Sequence, residues 1–465
     1  MHCTDEVTEQ HNGRPAKTGR LQLPRHYVLS GCVLGLVLLF ARCGGQPATP
    51  TVDPTDATKA VFKPVDATAA VFWDRQTTET AELLRTLADD YNSRRPQGLL
   101  PVKVEHVGGY SDIFRKVSAS IQARTLPSMA VGYESMTSEY IQTNAVVPVD
   151  HFVADPVIGL TQPNMDDFFP AVLETNRYPD YGGRMYSFPF CKSVLMMYFN
   201  KQVLAQAGYD RPPATWDEFL EQCRQVKAKT GKYAYAVSVD CSRIDGWIFS
   251  MGGEVIDGRT TLFDSLEALR VFELIETLAK EQLAYQIPPG TYDDETALGH
   301  DEIAFAFRSS SGRTSIARLM EGRENLWGMA SIPQADPGNP HTVLFGPNIC
   351  IFNTTPEQQR AAWEFVKFFT SAETSVKWAL GSGYLPIRKS AAGNPAIQEF
   401  WASWPYNRAA FDCLPFAKPE PNVAGWQEVR SLVEKAETEV LTGMKTGRQA
   451  ALDLKQNADA ALARQ

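Results

Sequence analysis

The sequence predicts an α/β protein built as two lobes behind an exported leader, and three observations carry that prediction. The chain has 465 residues, too many for one comfortable core. Its first well-patterned stretch alternates strand and helix, the order of a parallel α/β layer. Apolar residues make up 44% and charged residues 21%, enough to fill sizeable cores and incompatible with global disorder.

The leader comes first. Arg20, Arg25 and His26 precede the apolar run Val33-Leu34-Gly35-Leu36-Val37-Leu38-Leu39-Phe40, which is well short of the roughly 20 residues of a spanning helix. Residues 1–42 are therefore read as an export signal that is removed. Cys43 stands just behind the run, where bacterial lipoproteins carry their acceptor cysteine, and is the expected lipidation site. Arg42 departs from that pattern, because a small residue is usual before the cysteine. Leu29-Ser30-Gly31-Cys32 matches the pattern better but lies ahead of the apolar core. The alternatives are a signal left uncleaved or cut elsewhere, and a start codon placed too early.

Residues 43–68 are read as a flexible tether rich in Pro, Thr, Ala and Asp. They hold the first copy of a short repeat, Asp56–Phe62, whose second copy, Asp66–Phe72, leads into strand one.

After Ala69-Ala-Val-Phe-Trp73 comes a helix over 78–91, with Ala81, Leu83, Leu84, Leu87 and Ala88 near 3.6-residue spacing. Strands at Val102–Val107 and Met129–Gly132 continue the lobe. Thr215-Trp-Asp-Glu218 and Thr355-Pro-Glu-Gln358 each set a capping hydroxyl three residues before Glu or Gln and so start helices. The second helix continues through Ala362, Trp363, Phe365, Val366 and Phe369, a face broad enough to pack on a sheet. Glu302–Phe307 alternates as a strand, runs into Ser309-Ser310-Ser311-Gly312 and resumes as a helix with Ile316, Leu319 and Met320. That turn gathers hydroxyls and unpaired N–H groups at a helix start, which suits an anion or a polyol; a simple cap is the plainer reading.

Composition and motifs also exclude. The net charge of −9 and the lack of a Lys/Arg run after residue 45 leave no footprint for nucleic acid. Beyond the tether, Cys191, Cys223, Cys241, Cys350 and Cys413 are odd in number and show no metal-ligand spacing, so they are read as buried free thiols. No H-E-x-x-H, G-x-S-x-G or P-loop pattern is present, which disfavours an enzyme, and no cofactor is expected. Aromatic residues beside glycines, Tyr110, Trp247, Tyr384 and Trp426, suit stacking on a polyol, a sugar or a quaternary ammonium.

Several stretches together resemble the extracellular solute-binding proteins of sugar-type ABC importers: Val71-Phe-Trp73, Tyr186–Phe190, Val194–Lys201, Pro212–Phe219, Trp363–Phe369 and Gly383-Tyr-Leu-Pro-Ile387. Within that family the chain is most similar to the branch that binds glycerol-3-phosphate and glycerophosphodiesters. The resemblance implies ligand contacts at Tyr110, Glu134, Ser193, Ser310, Ser311, Gly312, Gly346 and Tyr384, with Trp247 and Trp426 as further candidates. One departure stands out. Leu414-Pro-Phe-Ala-Lys418 is followed by no arginine before Arg430, although that branch carries one; Trp426 is the candidate cover in its place.

The resemblance also implies a two-lobed periplasmic-binding-protein fold with several interlobe crossovers and a ligand cleft between the lobes. The first lobe is expected at 69–190 and 352–412, and the second at 194–347 and 418–465. A monomer anchored by lipid on the periplasmic side of a bacterial membrane would capture a small polar solute and deliver it to ABC permease subunits. A sugar or oligosaccharide is the alternative ligand; a secreted hydrolase and an adhesive surface lipoprotein are the readings from other classes.

Overall fold

The computed structural model describes residues 62–464. Ala70–Asp74 is buried along its whole length, as an inner strand covered on both faces must be, and its sequence is accordingly almost all apolar. It pairs in parallel with Val102–His106 and with Met129–Gly132. Antiparallel Asn348–Ile351 and Phe188–Pro189 complete a five-stranded sheet. The helix Pro356–Phe369 is capped by Thr355, whose hydroxyl accepts the Gln358 N–H at 3.4 Å. Its apolar stripe lies on that sheet, with Phe365 6.0 Å from Phe72 and Trp363 5.3 Å from Phe188, ring to ring.

The second sheet has seven strands. Ala284–Gln286, Tyr235–Val237, Phe305–Ser309, Ser193–Asn200, Thr342–Phe345 and Ala417–Lys418 follow one another, and Trp327–Ser331 also pairs with Ser193–Asn200. Ser193–Asn200 is buried throughout. Its period of two sends Leu195, Met197 and Phe199 into one core and Val194, Met196 and Tyr198 into the other. Thr215 caps the helix Trp216–Thr230 by accepting the Glu218 N–H at 3.2 Å, and that helix sets Phe219 against Phe305 and Phe307.

The chain crosses between the sheets three times, through 190–192, 346–347 and 413–416. The first two crossings touch. Gly346 has φ +109°, and a Cβ there would stand 2.0 Å from the Cys191 carbonyl oxygen, so the close approach requires glycine.

Three expectations shift. The tether does not extend to residue 68: Phe62 is buried, and Lys63–Pro64 pairs in parallel with Thr125–Leu126, so the first lobe already includes Phe62. Its return segment begins at Asn348 rather than 352, because Asn348–Ile351 hydrogen-bonds to Met129–Gly132. The strand expected at Glu302–Phe307 lies at Phe305–Ser309, since its ladder with Ser193–Asn200 runs from Phe305↔Phe199 to Ser309↔Leu195 and draws Arg308 and Ser309 into the sheet. The thiols of Cys191, Cys223, Cys241, Cys350 and Cys413 are buried and unpaired. Residues 1–61, with the leader and Cys43, lie outside the described residues.

Candidate functional site

A cleft of about 680 Å³ lies between the two sheets. Strand ends deliver its walls, as they do in open α/β sheets generally. In the first lobe, Arg75 follows Ala70–Asp74 and Tyr133 follows Met129–Gly132; in the second, Ser238 follows Tyr235–Val237, and Phe345 and Ser309 end their own strands.

Three hydroxyls form a chain on the second-lobe wall. Ser309 Oγ donates to Ser193 Oγ at 2.8 Å, lies 2.8 Å from Ser311 Oγ, and accepts the Ser311 N–H at 3.2 Å. Gly312 is next in the turn, and a Cβ there would come within 3.2 Å of Glu295 Oε1. Glu295 is buried beneath it and hydrogen-bonded by the Ser315 hydroxyl; burial pushes its carboxyl up.

Arginines dominate the charge of the cleft. Arg308 is clasped by Asp294, with Nε donating at 2.7 Å. Arg243 is buried and paired with Glu437, and its Nη1 has no partner among the described protein atoms. Arg75 differs from both. Among the described residues its one side-chain hydrogen bond runs from Nη1 to the Tyr384 hydroxyl at 3.4 Å, its Cζ lies 4.7 Å from the Tyr110 ring centre, and the phenols of Tyr110, Tyr384, Tyr133 and Tyr292 lie around it. The adjacent Asp74 is buried, accepts the Gln76 N–H at 2.6 Å, and is pushed up to about 6 by desolvation.

The lobes also touch at the cleft rim. Gly383, at φ +78°, closes the helix Ala372–Ser382, and a Cβ there would lie 2.8 Å from Thr314 Cγ2 and 3.1 Å from the Ser311 carbonyl oxygen.

Of the residues singled out from the sequence, Tyr110, Ser193, Ser311, Gly312, Gly346 and Tyr384 line this cleft. The other four do not. Glu134 opens the helix Glu134–Gln142 but is buried against Lys192 and Asn348. Ser310 is buried, and its hydroxyl accepts the Val194 N–H at 3.3 Å. Trp247 sits inside the helix Cys241–Ser250 rather than at a loop tip, with its ring centre 4.6 Å from Trp216 and 5.0 Å from Phe307. Trp426 is likewise no cover for the cleft. It begins a buried stripe with Val429, Val433 and Val440 at helical spacing and stacks on Phe263.

Sequence reasoning missed Arg75, Tyr133, Arg243, Tyr292 and Arg308. Arg75 and Tyr133 had a usable signal, since each is the first residue past the carboxyl end of a strand. The others are gathered by folding from separate strands and helices.

Comparison with known proteins follows the same lines. The family profile described as bacterial extracellular solute-binding protein matches residues 86–406. The sn-glycerol-3-phosphate-binding periplasmic protein UgpB of Yersinia pseudotuberculosis is 26% identical over 407 residues, covering 82% of this chain and 89% of its own. Its namesake in Escherichia coli K12 is 24% identical over 454 residues, covering 92% and 95%. Among solved structures, UgpB from Mycobacterium tuberculosis in complex with glycerophosphocholine superposes with a TM-score of 0.74 at 18% identity, over 86% of this chain and 99% of that one. The cyclic alpha-maltosyl-1,6-maltose binding protein of Arthrobacter globiformis gives 0.71 at 20% identity, over 85% and 99%. These structural likenesses establish the two-lobed solute-binding fold.

Proposed function

The chain belongs to the bacterial extracellular solute-binding proteins, and from that premise we propose that it is the substrate-binding subunit of an ABC importer for a phosphorylated glycerol compound. The candidates are sn-glycerol-3-phosphate and a glycerophosphodiester such as glycerophosphocholine. One observation carries the reading: Arg75, which has no carboxylate ion-pair partner among the described residues, and the Ser193–Ser309–Ser311 hydroxyl chain line the same interlobe cleft. A guanidinium and hydroxyl donors are what a phosphate ester requires. Beside Ser193 and Ser311 of that chain, Tyr110, Gly312, Gly346 and Tyr384 are its proposed further contacts. The protein binds and releases, and performs no catalysis.

Closure about the three crossings would present the loaded form to a pair of permease subunits. The monomer would be held at the periplasmic side of the membrane by a lipid on Cys43. Membrane fractionation tests the anchor: Cys43→Ser should leave the membrane fraction, and an unchanged distribution refutes it.

A second reading, a sugar or oligosaccharide, is favoured by the four tyrosines that line the cleft, Tyr110, Tyr133, Tyr292 and Tyr384. Thermal shift of the purified full chain separates the readings, because a ligand that binds only the folded state raises its melting point. A rise with either glycerol phosphate supports the proposal. A rise with maltose alone moves the assignment to sugars, turnover of the added compound points to a hydrolase, and no response to any compound points to adhesion.

A further inference from the structure

A quaternary ammonium group is usually recognised by open aromatic faces, to which it is drawn by the ring quadrupole. Four tyrosines line the cleft, yet three of their rings already carry a guanidinium of this chain. Arg75 lies 4.7 Å from the centre of Tyr110, Arg430 5.1 Å from Tyr133, and Arg308 5.0 Å from Tyr292. Tyr110 and Tyr133 also pack on each other, with centres 4.2 Å apart. The fourth ring, Tyr384, stacks on Trp378, and its hydroxyl accepts from Arg75.

These arginines are not equally available. Arg308 is neutralised by Asp294 and Arg430 by Glu420. Arg75 makes no ion pair among the described residues, and its hydrogen bond to Tyr384 is long at 3.4 Å, so most of its donor fork is uncommitted.

We propose that Arg75 is the anchor for the anionic end of a phosphate monoester, and that the arginine-covered tyrosines exclude a quaternary ammonium headgroup from the cleft. The proposal rests on the phosphorylated-glycerol reading and narrows it: sn-glycerol-3-phosphate is the fitting ligand and glycerophosphocholine the excluded one. A phosphate monoester carries nearly two negative charges near neutral pH, and a guanidinium fork meets it with two parallel hydrogen bonds. The diester carries one negative charge and brings a trimethylammonium group. That group would find the tyrosine faces already covered and the uncompensated charge of Arg75 nearby in a partly desolvated cleft, where like charges repel more strongly than in water.

Titration calorimetry on the full chain with sn-glycerol-3-phosphate, glycerophosphocholine and maltose tests this. The wild type should bind the monoester at least about tenfold more tightly than the diester. Arg75→Met should weaken the monoester by at least about tenfold while leaving the diester unchanged or improved, and Arg75→Lys should recover only part of the loss. Equal wild-type affinity for the two phosphate compounds overturns the exclusion, and this arm needs no variant to fold. Unchanged monoester affinity in Arg75→Met overturns the anchor, and equal loss of both compounds overturns the discrimination between them, while in either case the phosphorylated-glycerol reading stands. Binding of maltose with neither phosphate compound overturns that reading and this proposal together.

Discussion

Lys192 and Glu134 form an ion pair sealed from solvent where the two sheets meet, with Lys192 Nζ 3.5 Å from Glu134 Oε1 and 2.8 Å from the Gly346 carbonyl oxygen. Lys192 lies on the first crossing, Gly346 on the second, and Glu134 opens a first-lobe helix. Asn348 Nδ2 donates to the same carboxylate oxygen at 2.9 Å. Burial pushes the Glu134 carboxyl up and the Lys192 ammonium down, and each opposes the other's shift. The carboxylate that the family resemblance implied as a ligand contact is thus engaged in tying the crossings together.

Removing one partner should therefore cost stability before it costs binding. Lys192→Met leaves a buried carboxylate without its counter-ion and should destabilise by roughly 3–5 kcal/mol. Glu134→Ala should do likewise, and Lys192→Met with Glu134→Gln should recover most of the loss. Urea denaturation measures all three; single variants as stable as wild type would show that the pair is not structural.

Gly383 sets how closely the lobes meet. Gly383→Ala must hold φ +78° with a side chain, a cost of roughly 1–2 kcal/mol, and drives a methyl group toward Thr314 and Ser311. Ligand affinity should fall about tenfold, and small-angle scattering should show a larger saturated radius than in wild type. The wild type itself should contract on binding; an unchanged radius at saturation argues for a preformed pocket without a hinge.

Asp74 gives the stability a pH dependence of known sign. Its carboxyl stands at about 6 in the folded chain against an ordinary 3.8, so the folded state holds its proton more tightly. The resulting stabilisation is complete below 3.8 and lost as pH rises through 6, amounting to at most about 3 kcal/mol. Asp74→Asn should flatten that part of the curve when denaturation is compared at pH 4 and pH 7. An unaltered slope would place its origin elsewhere.

Ser311→Ala removes one end of the serine chain. A hydrogen bond to a charged group is worth roughly 1.5–3 kcal/mol and a neutral one about 1 kcal/mol, so a phosphate ligand should lose about tenfold or more and a neutral sugar less. Calorimetry with both ligands decides it, and equal losses would reduce the turn to a helix cap.

The sequence by itself determined the α/β class, because local pattern is enough for it. The apolar run of Ala70–Asp74, the helical spacing of Leu84, Leu87 and Ala88, and the hydroxyl caps at Thr215 and Thr355 are decided by neighbours a few residues away. Tyr110, Ser311 and Tyr384 were legible as cleft candidates because each sits at a turn beside glycine or serine. Tertiary structure alone decided which charged and aromatic side chains face the cleft. Trp426 and Trp247 read as loop aromatics, yet helical phase turns both into the second-lobe core. Glu134 reads as a ligand carboxylate, yet Lys192, remote in sequence, buries it. Arg430 comes to lie over Tyr133, beside Tyr110 and its Arg75, only because the chain crosses back and forth between two sheets. Such pairings depend on contacts between residues tens to hundreds of positions apart, which no local period encodes.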